Sequence, residues 1–305
     1  MTRALVTGGA GFIGSHVVDV LADQGLEVHV VDNFLNGRRE HLAGLPAERI
    51  HEVDIRDAAG LRQALDAIAP AWVFHLAAIH FIPYCNEHPT ESVLINIQGT
   101  QNVLDAVRAQ GGAERLFFAS TAAVYPIKDG AYVETDPVEP LDVYGATKAA
   151  GEALVKAFSE STGVPTVIGR LFNAVGHRET NPHLLPEIVQ QLKTGSRRLE
   201  LGNLEPQRDF IDARDMARAI HAATARQGQG WDVFNIGANV QYSVIEVVRM
   251  CEAILGESIE VVQDPARVRK VERQTLLAGI DKLKSATGWA PEVDLNRTLR
   301  EILAA

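Results

Sequence analysis

Apolar residues fall in short, nearly continuous runs through the first half of the chain. The runs are Ala4–Thr7, Glu27–Val31, Arg49–Val53, Ala71–Leu76, Arg115–Ala119 and Thr166–Leu171. Their length and β-branched content predict strands. Between them, polar and apolar positions alternate at helical spacing over Gly14–Gln24, Ala58–Ile68, Thr90–Ala109 and Tyr144–Ser161. In the last of these, Ala149, Ala153, Val155 and Phe158 outline one apolar face. Strands that are apolar on both faces and alternate with helices imply a parallel sheet covered on both sides. Right-handed crossovers then give a doubly wound, Rossmann-type α/β fold.

Past about Asn173 the pattern changes. Pro182, Pro186, Pro206 and Pro265 punctuate shorter elements, with helices expected at Leu184–Lys193, Asp212–Thr224, Val244–Leu255 and Leu295–Leu303. This predicts residues 1–172 as a dinucleotide-binding domain and 173–305 as a smaller α/β substrate lobe, with the two lobes interleaved. No internal repeat or low-complexity linker separates them.

Charge narrows the partners. The 29 Lys and Arg against 39 Asp and Glu give a net charge of −10, and no basic cluster forms a nucleic-acid footprint. The apolar stretch around Ala67–Ile79 contains Pro70 and His75 and is too short to cross a bilayer. The N-terminus enters a strand without a signal-peptide layout, so cytoplasm is the expected compartment. Cys85 and Cys251 sit in neither a C-x-x-C pair nor a histidine cluster, so neither a disulfide framework nor a metal site is expected.

Candidate chemistry begins at Thr7-Gly8-Gly9-Ala10-Gly11-Phe12-Ile13-Gly14, where the first strand meets the first helix. A glycine turn there lets the backbone approach a pyrophosphate, and the helix N-terminus offers unpaired N–H groups. The same glycines also suit a plain tight β–α turn. Asp32, ending the second strand, can accept both ribose hydroxyls of adenosine and repel the extra phosphate of NADP, which favours NAD. Asp54-Ile55, ending the third strand, can contact adenine, or Asp54 can cap the helix that follows.

Tyr144 and Lys148 stand four apart on one helix face. Lys148 can hold the cofactor ribose and, with a positive nicotinamide, favour the phenolate of Tyr144. A surface Tyr/Lys pair arising by chance is the plain alternative. Thr121 ends the fifth strand, where it can hydrogen-bond a reacting hydroxyl or merely satisfy local backbone. The ordered set is far more specific than any one member.

With these motifs the chain resembles the extended short-chain dehydrogenase/reductases of the nucleotide-sugar epimerase/dehydratase family, over nearly its whole length. Matching segments include Thr7–Gly14, Phe74-His-Leu-Ala-Ala78, Asn96-x-x-Gly-Thr100, Ser120–Tyr125, Tyr144–Lys148 with Glu152, Arg170–Asn173, Arg208-Asp-Phe-Ile211 and Gly288-Trp-x-Pro291. The resemblance implies that Tyr144, Lys148 and Thr121 carry the hydride chemistry. Gly8, Gly11, Phe12, Ile13, Gly14, Asp32, Asn33, Asn36, Gly37, Asp54, Ile55, Leu76, Ala77, Ala78, Ala119 and Phe172 join Tyr144 and Lys148 around NAD. His80, Asn173, His183, Leu184, Arg208, Arg269 and Glu272 join Thr121 on the substrate side, with Leu276 tuning access. Arginines suit the diphosphate of a nucleotide sugar; Arg208 can instead pair with Asp209, and Arg269 can belong to a solvated charged loop.

Related dehydratases carry an Asp-Glu pair after the strand-end hydroxyl, and related decarboxylases a Glu. Here Ala122-Ala123 stand there, and methyl groups perform no acid–base chemistry. The resemblance therefore implies a nucleotide-sugar epimerase, acting at C4 through a transient 4-keto sugar. Two alternatives remain open. One is a dehydratase or decarboxylase with an atypical acid or base from the loop bearing His80, Tyr84, Cys85, Glu87 and His88. The other is an NAD-sensing regulator without turnover. Small and apolar faces on the helices Thr90–Ala109 and Tyr144–Ser161 suggest a homodimer.

Overall fold

The structure is a computed structural model, described for residues 1–179, 183–264 and 273–305. In chain order the first elements are β1 (Arg3–Thr7), α1 (Phe12–Asp23), β2 (Glu27–Asp32), β3 (Ile50–Glu52), α2 (Ala58–Ile68) and β4 (Trp72–His75). Two short helices follow, α3 (Ile82–Glu87) and α4 (Pro89–Val93), and α4 passes through a π turn at Leu94–Gly99 into α5 (Thr100–Gln110). Next come β5 (Arg115–Thr121), β6 (Ala131–Tyr132), α6 (Val143–Thr162), β7 (Thr166–Leu171) and β8 (Asn173–Val175). The second half holds α7 (Leu184–Lys193), β9 (Arg198–Leu201), β10 (Gln207–Asp212), α8 (Ala213–Ala225), β11 (Trp231–Ile236), β12 (Gln241–Ser243) and α9 (Val244–Leu255). It ends with β13 (Glu260–Gln263), β14 (Thr275–Ala278), α10 (Asp281–Thr287) and α11 (Leu295–Ala304).

Among the described residues, seven parallel strands form the main sheet in the order β3-β2-β1-β4-β5-β7-β11. The order reverses between β1 and β4, the place where doubly wound sheets open a crevice at their strand ends. Period-two alternation explains why both faces are covered. Leu5, Val73, Leu116, Phe118 and Ile168 pack on one side with residues of α2, α5 and α6. Val6, Phe74, Phe117 and Phe234 pack on the other with residues of α1 and α8. Each such side chain contributes about 1.5–3 kcal/mol on burial.

The chain crosses the division expected near residue 173. Helix α8 packs on α1, and β11 adds the seventh strand beside β7, so the main sheet is completed by residues from the second half. Helix α10 also packs on α8 and β11, and most of the other second-half elements form a smaller lobe. Its sheet runs β12-β10-β14-β6 with β8 beside β10, and a separate core joins Leu185, Ile188, Leu192, Val248, Leu295 and Leu299 from α7, α9 and α11.

The helix expected over Thr90–Ala109 is present, but interrupted by the π turn. There the buried Asn96 side chain accepts from the Ile79 N–H at 2.9 Å and donates to the Ile79 carbonyl at 2.8 Å and to Thr147 Oγ1 at 3.0 Å. That amide ties the loop after β4 to the N-terminal end of α6. Among the described residues, no helix is long and apolar enough to cross a membrane, and no three His, Cys, Asp or Glu side chains are grouped to hold a metal ion.

Candidate active site

A groove of about 980 Å³ runs along the carboxyl ends of the main sheet and under the smaller lobe. Its first end is shaped by β1 and α1. Gly8 adopts φ +73°, and a Cβ on Gly14 would stand 2.0 Å from the Gly8 carbonyl oxygen. Turn and helix therefore approach as only glycine allows. No side chain caps α1, whose N-cap is Gly11, so its first N–H groups face the groove with the positive end of the helix dipole.

Asp32 stands beside this turn, accepting from Ala10 N–H at 2.9 Å and Phe34 N–H at 2.8 Å. Burial raises its pKa against the pull of those two hydrogen bonds. Asp54 lines the groove next to Asn33. The Arg56 guanidinium grips it at 2.9 and 2.8 Å and Asn33 Nδ2 donates at 2.8 Å, holding the carboxyl far below its ordinary range. Asp54 does not cap the following helix; Asp57 does, accepting from Gly60 N–H.

The catalytic candidates meet at the centre. Asp142 caps α6 by accepting from Gly145 N–H at 2.7 Å. Gly145 lets the first turn of α6 press against the segment after β5, since a Cβ there would lie 2.5 Å from the Ala123 carbonyl oxygen. That contact brings Tyr144, in the first turn of α6, to the strand end beside Thr121, where both line the groove. Burial raises the phenol pKa above its ordinary value, and the neighbouring Thr121 hydroxyl opposes the rise. One turn on, Lys148 is 3% exposed and donates from Nζ to the Ala119 carbonyl at 2.8 Å. Burial pulls its pKa down to about 7. A buried ammonium with one hydrogen-bonding partner keeps donors available for a hydroxylated ligand.

The substrate-side candidates line the same groove. His80 and His183 meet edge to face at 5.6 Å, and His183 sits at the N-cap of α7. Burial, with His183 and Lys148 nearby, holds His80 down to about 3, so its imidazole is neutral. Asn173 donates to the Asp209 carbonyl at 3.0 Å. Arg208 Nη1 donates to the carbonyls of Gln207 and Arg273, both at 2.9 Å. The Asp209 carboxylate is used otherwise, by the backbone N–H groups of Ala238, Asn239 and Ala278.

All the cofactor-side positions named from sequence line this one groove, as do Thr121, His80, Asn173, His183, Leu184, Arg208 and Leu276. Arg269 and Glu272 lie outside the described residues. Of the five loop residues proposed as an unusual acid or base, His80 alone lines the groove; Tyr84, Cys85, Glu87 and His88 do not. Cys85 is buried, and Tyr84 turns outward to donate to Glu91 at 2.6 Å. Ala122 and Ala123 line the groove directly after Thr121. Sequence reasoning missed Arg273, Asn203 and Glu187, which also line it. Arg273 ends the charged run after Arg267, and that run is its one sequence signal; Asn203 and Glu187 belong to no motif.

A doubly wound sheet with an uncapped glycine turn, and a tyrosine–lysine pair at its switch-point crevice, defines a Rossmann-fold enzyme of the short-chain dehydrogenase/reductase type. The family described as GDP-mannose 4,6 dehydratase matches residues 5–302. The UDP-glucose 4-epimerase of Corynebacterium glutamicum is 33% identical over 317 residues, covering 98% of this chain and 94% of the relative. The GDP-6-deoxy-D-mannose reductase of Pseudomonas aeruginosa is 28% identical, covering 99% and 96%. The crystal structure of the UDP-glucose 4-epimerase of Thermus thermophilus, a complex with NAD, superposes with a TM-score of 0.89 at 31% identity, over 99% of this chain and 98% of that one. The chain belongs to the extended short-chain dehydrogenase/reductase family of nucleotide-sugar epimerases and dehydratases.

Proposed function

We propose that this protein is an NAD-dependent nucleotide-sugar 4-epimerase. The observation that carries the reading is the meeting of Tyr144, Thr121 and Lys148 in one groove whose adjacent wall, Ala122-Ala123, offers no acid or base. Such a centre can move one proton at one hydroxyl, and it lacks the strand-end carboxylates with which related dehydratases remove water. The glycine turn, the uncapped start of α1 and the Asp32 carboxylate fit a dinucleotide with free ribose hydroxyls. The relative solved with NAD supports the same cofactor.

When bound along that turn, a nicotinamide supplies the acceptor and donor of hydride. Lys148 holds ribose hydroxyls through its remaining N–H donors. Tyr144 takes the proton of the sugar 4-hydroxyl and returns it after reduction on the opposite face, with the Thr121 hydroxyl bridging to the substrate oxygen. Arg208 faces the diphosphate. A groove of about 980 Å³ leaves room for the 4-keto sugar to turn between the two transfers.

Incubation with UDP-, dTDP- and GDP-hexoses, followed by proton NMR, tests the reading. Interconversion of a 4-epimer pair is expected, and Tyr144→Phe is expected to retain NAD while losing at least about a hundredfold in rate. A 4-keto-6-deoxy product shows a dehydratase instead; NAD binding with no conversion shows a regulator.

The same reading includes a homodimer. Val93 and Leu94 before α5 are 44% and 47% exposed, and Ala146, Ala153 and Ala157 are exposed along α6. Small residues beside exposed apolar ones suit close packing of helices. Light scattering is expected to give about twice the 33.1 kDa chain mass; a monomer at high concentration refutes the dimer.

A further inference from the structure

One buried polar row lies directly beneath the proposed centre. Ser120 on β5 is in register with Arg170 on β7, and Arg170 with Asn235 on β11. The preceding row on the same sheet face, Phe118, Ile168 and Val233, is wholly apolar. Above the polar row sits Glu152 of α6, four residues after Lys148 and eight after Tyr144, hence on the same helix face. Its carboxylate accepts from Arg170 Nε at 2.9 Å, from Arg170 Nη2 at 2.9 Å and from Ser120 Oγ at 2.6 Å.

The network continues outward. Arg170 Nη1 donates to the Tyr125 hydroxyl at 3.0 Å, and that hydroxyl donates to Asn235 Oδ1 at 2.7 Å. Asn235 Nδ2 donates to the Tyr132 carbonyl at 2.9 Å. The Tyr125 and Pro126 carbonyls accept from Arg273, which lines the groove. Glu152 and Arg170 are each 2% exposed. A buried ion pair is weak evidence for stability, since apolar side chains of similar volume often serve as well or better. It does fix direction, because two parallel N–H···O bonds and a hydroxyl leave the carboxylate a single orientation.

We propose that Ser120, Glu152 and Arg170 are positioning residues. Their network locks the helix carrying Tyr144 and Lys148 to the strand end carrying Thr121, and through Tyr125 ties both to the Arg273 wall of the groove. The hydroxyl of Ser120 and that of Thr121 are adjacent in sequence, so pulling Glu152 away from Ser120 shifts Tyr144 relative to Thr121. The proposal rests on the reading of Tyr144 as acid and base.

Two variants of the full chain, saturated with NAD, test it. Ser120→Ala removes one hydrogen bond and leaves the ion pair whole, and Glu152→Asp keeps the charge while shortening the tether by one methylene. Each is expected to lower kcat by about tenfold with KM held within about twofold, and to leave NAD affinity unchanged. Each is also expected to raise the phenol titration of Tyr144, read as difference absorbance against Tyr144→Phe. A lower melting temperature with unchanged kcat and unchanged phenol titration makes the network merely structural and overturns the proposal. If Glu152→Asp does not fold, Ser120→Ala gives the same readouts alone. If the parent protein converts no nucleotide sugar, the epimerase reading falls, and the phenol titration still decides for or against positioning.

Discussion

Lys148 shows how much a single side chain's surroundings alter its chemistry. Spacing alone puts it on the face of Tyr144, but the packing of α6 on β5 removes it from water and pulls its pKa down to about 7 from 10.5. Between those two values the unfolded chain binds more protons than the folded one, so this group makes stability rise with pH across that window. Below about pH 7 the ammonium is buried at full cost. Lys148→Met removes the cost, so in cofactor-free protein the variant's stability advantage is expected to be largest below pH 7 and to shrink toward pH 10. Urea unfolding at pH 6, 8 and 10 measures it, and a difference that does not change with pH rules out the desolvated lysine. Asp54 teaches the same lesson: its identity suggests an adenine contact or a cap, and only the geometry shows Asp57 capping α2 while Arg56 and Asn33 hold Asp54 at the groove.

At the scale of elements, most of the main sheet was legible because its inner strands are buried on both faces and so read as runs of apolar residues. Helices α2, α7 and α9 follow their periodicity from end to end. The short β8, β12 and β14 were not legible, since three or four residues carry too little pattern. The π turn was hidden for another reason: an extra residue in a helix leaves composition unchanged, and the tertiary hydrogen bonds that Asn96 makes there to Ile79 join residues seventeen positions apart. The glycine turn was legible as a motif, and the structure adds a steric prediction. Gly14→Ala places a methyl group 2.0 Å from the Gly8 carbonyl oxygen, so the turn must open. Overpacking of this kind costs about 1–3 kcal/mol, and NAD affinity by calorimetry is expected to fall about tenfold or more. Unaltered affinity means the cofactor does not use this turn.

Across the whole molecule, the groove is lined by residues of both lobes, and Asp209 is a main tie between them. Its wholly buried carboxylate accepts from Ala238 at 2.7 Å, Asn239 at 2.8 Å and Ala278 at 3.1 Å. It thereby joins β10 to the segment after β11 and to β14. Asp209→Ala leaves three backbone donors without acceptors, and a loss of at least about 3 kcal/mol is expected. Asp209→Asn, keeping one acceptor oxygen, is expected to fall between that variant and the parent. Urea denaturation decides, and a loss under about 1 kcal/mol would remove Asp209 as a tie.

What the sequence determined by itself is local. Apolar periodicity specified the doubly wound sheet, and the glycine turn, Asp32, Thr121, Tyr144 and Lys148 marked its crevice, because each motif spans a few residues whose backbone geometry is set nearby. Tertiary structure alone decided that β11 returns to complete the main sheet, that His80 faces the groove while Tyr84 turns away, and that Arg273 joins its wall. It also decided that Ser120, Arg170 and Asn235 form one buried row. Those facts depend on pairings between residues tens to more than a hundred positions apart, where strand register and crossover, not neighbouring sequence, bring the groups together.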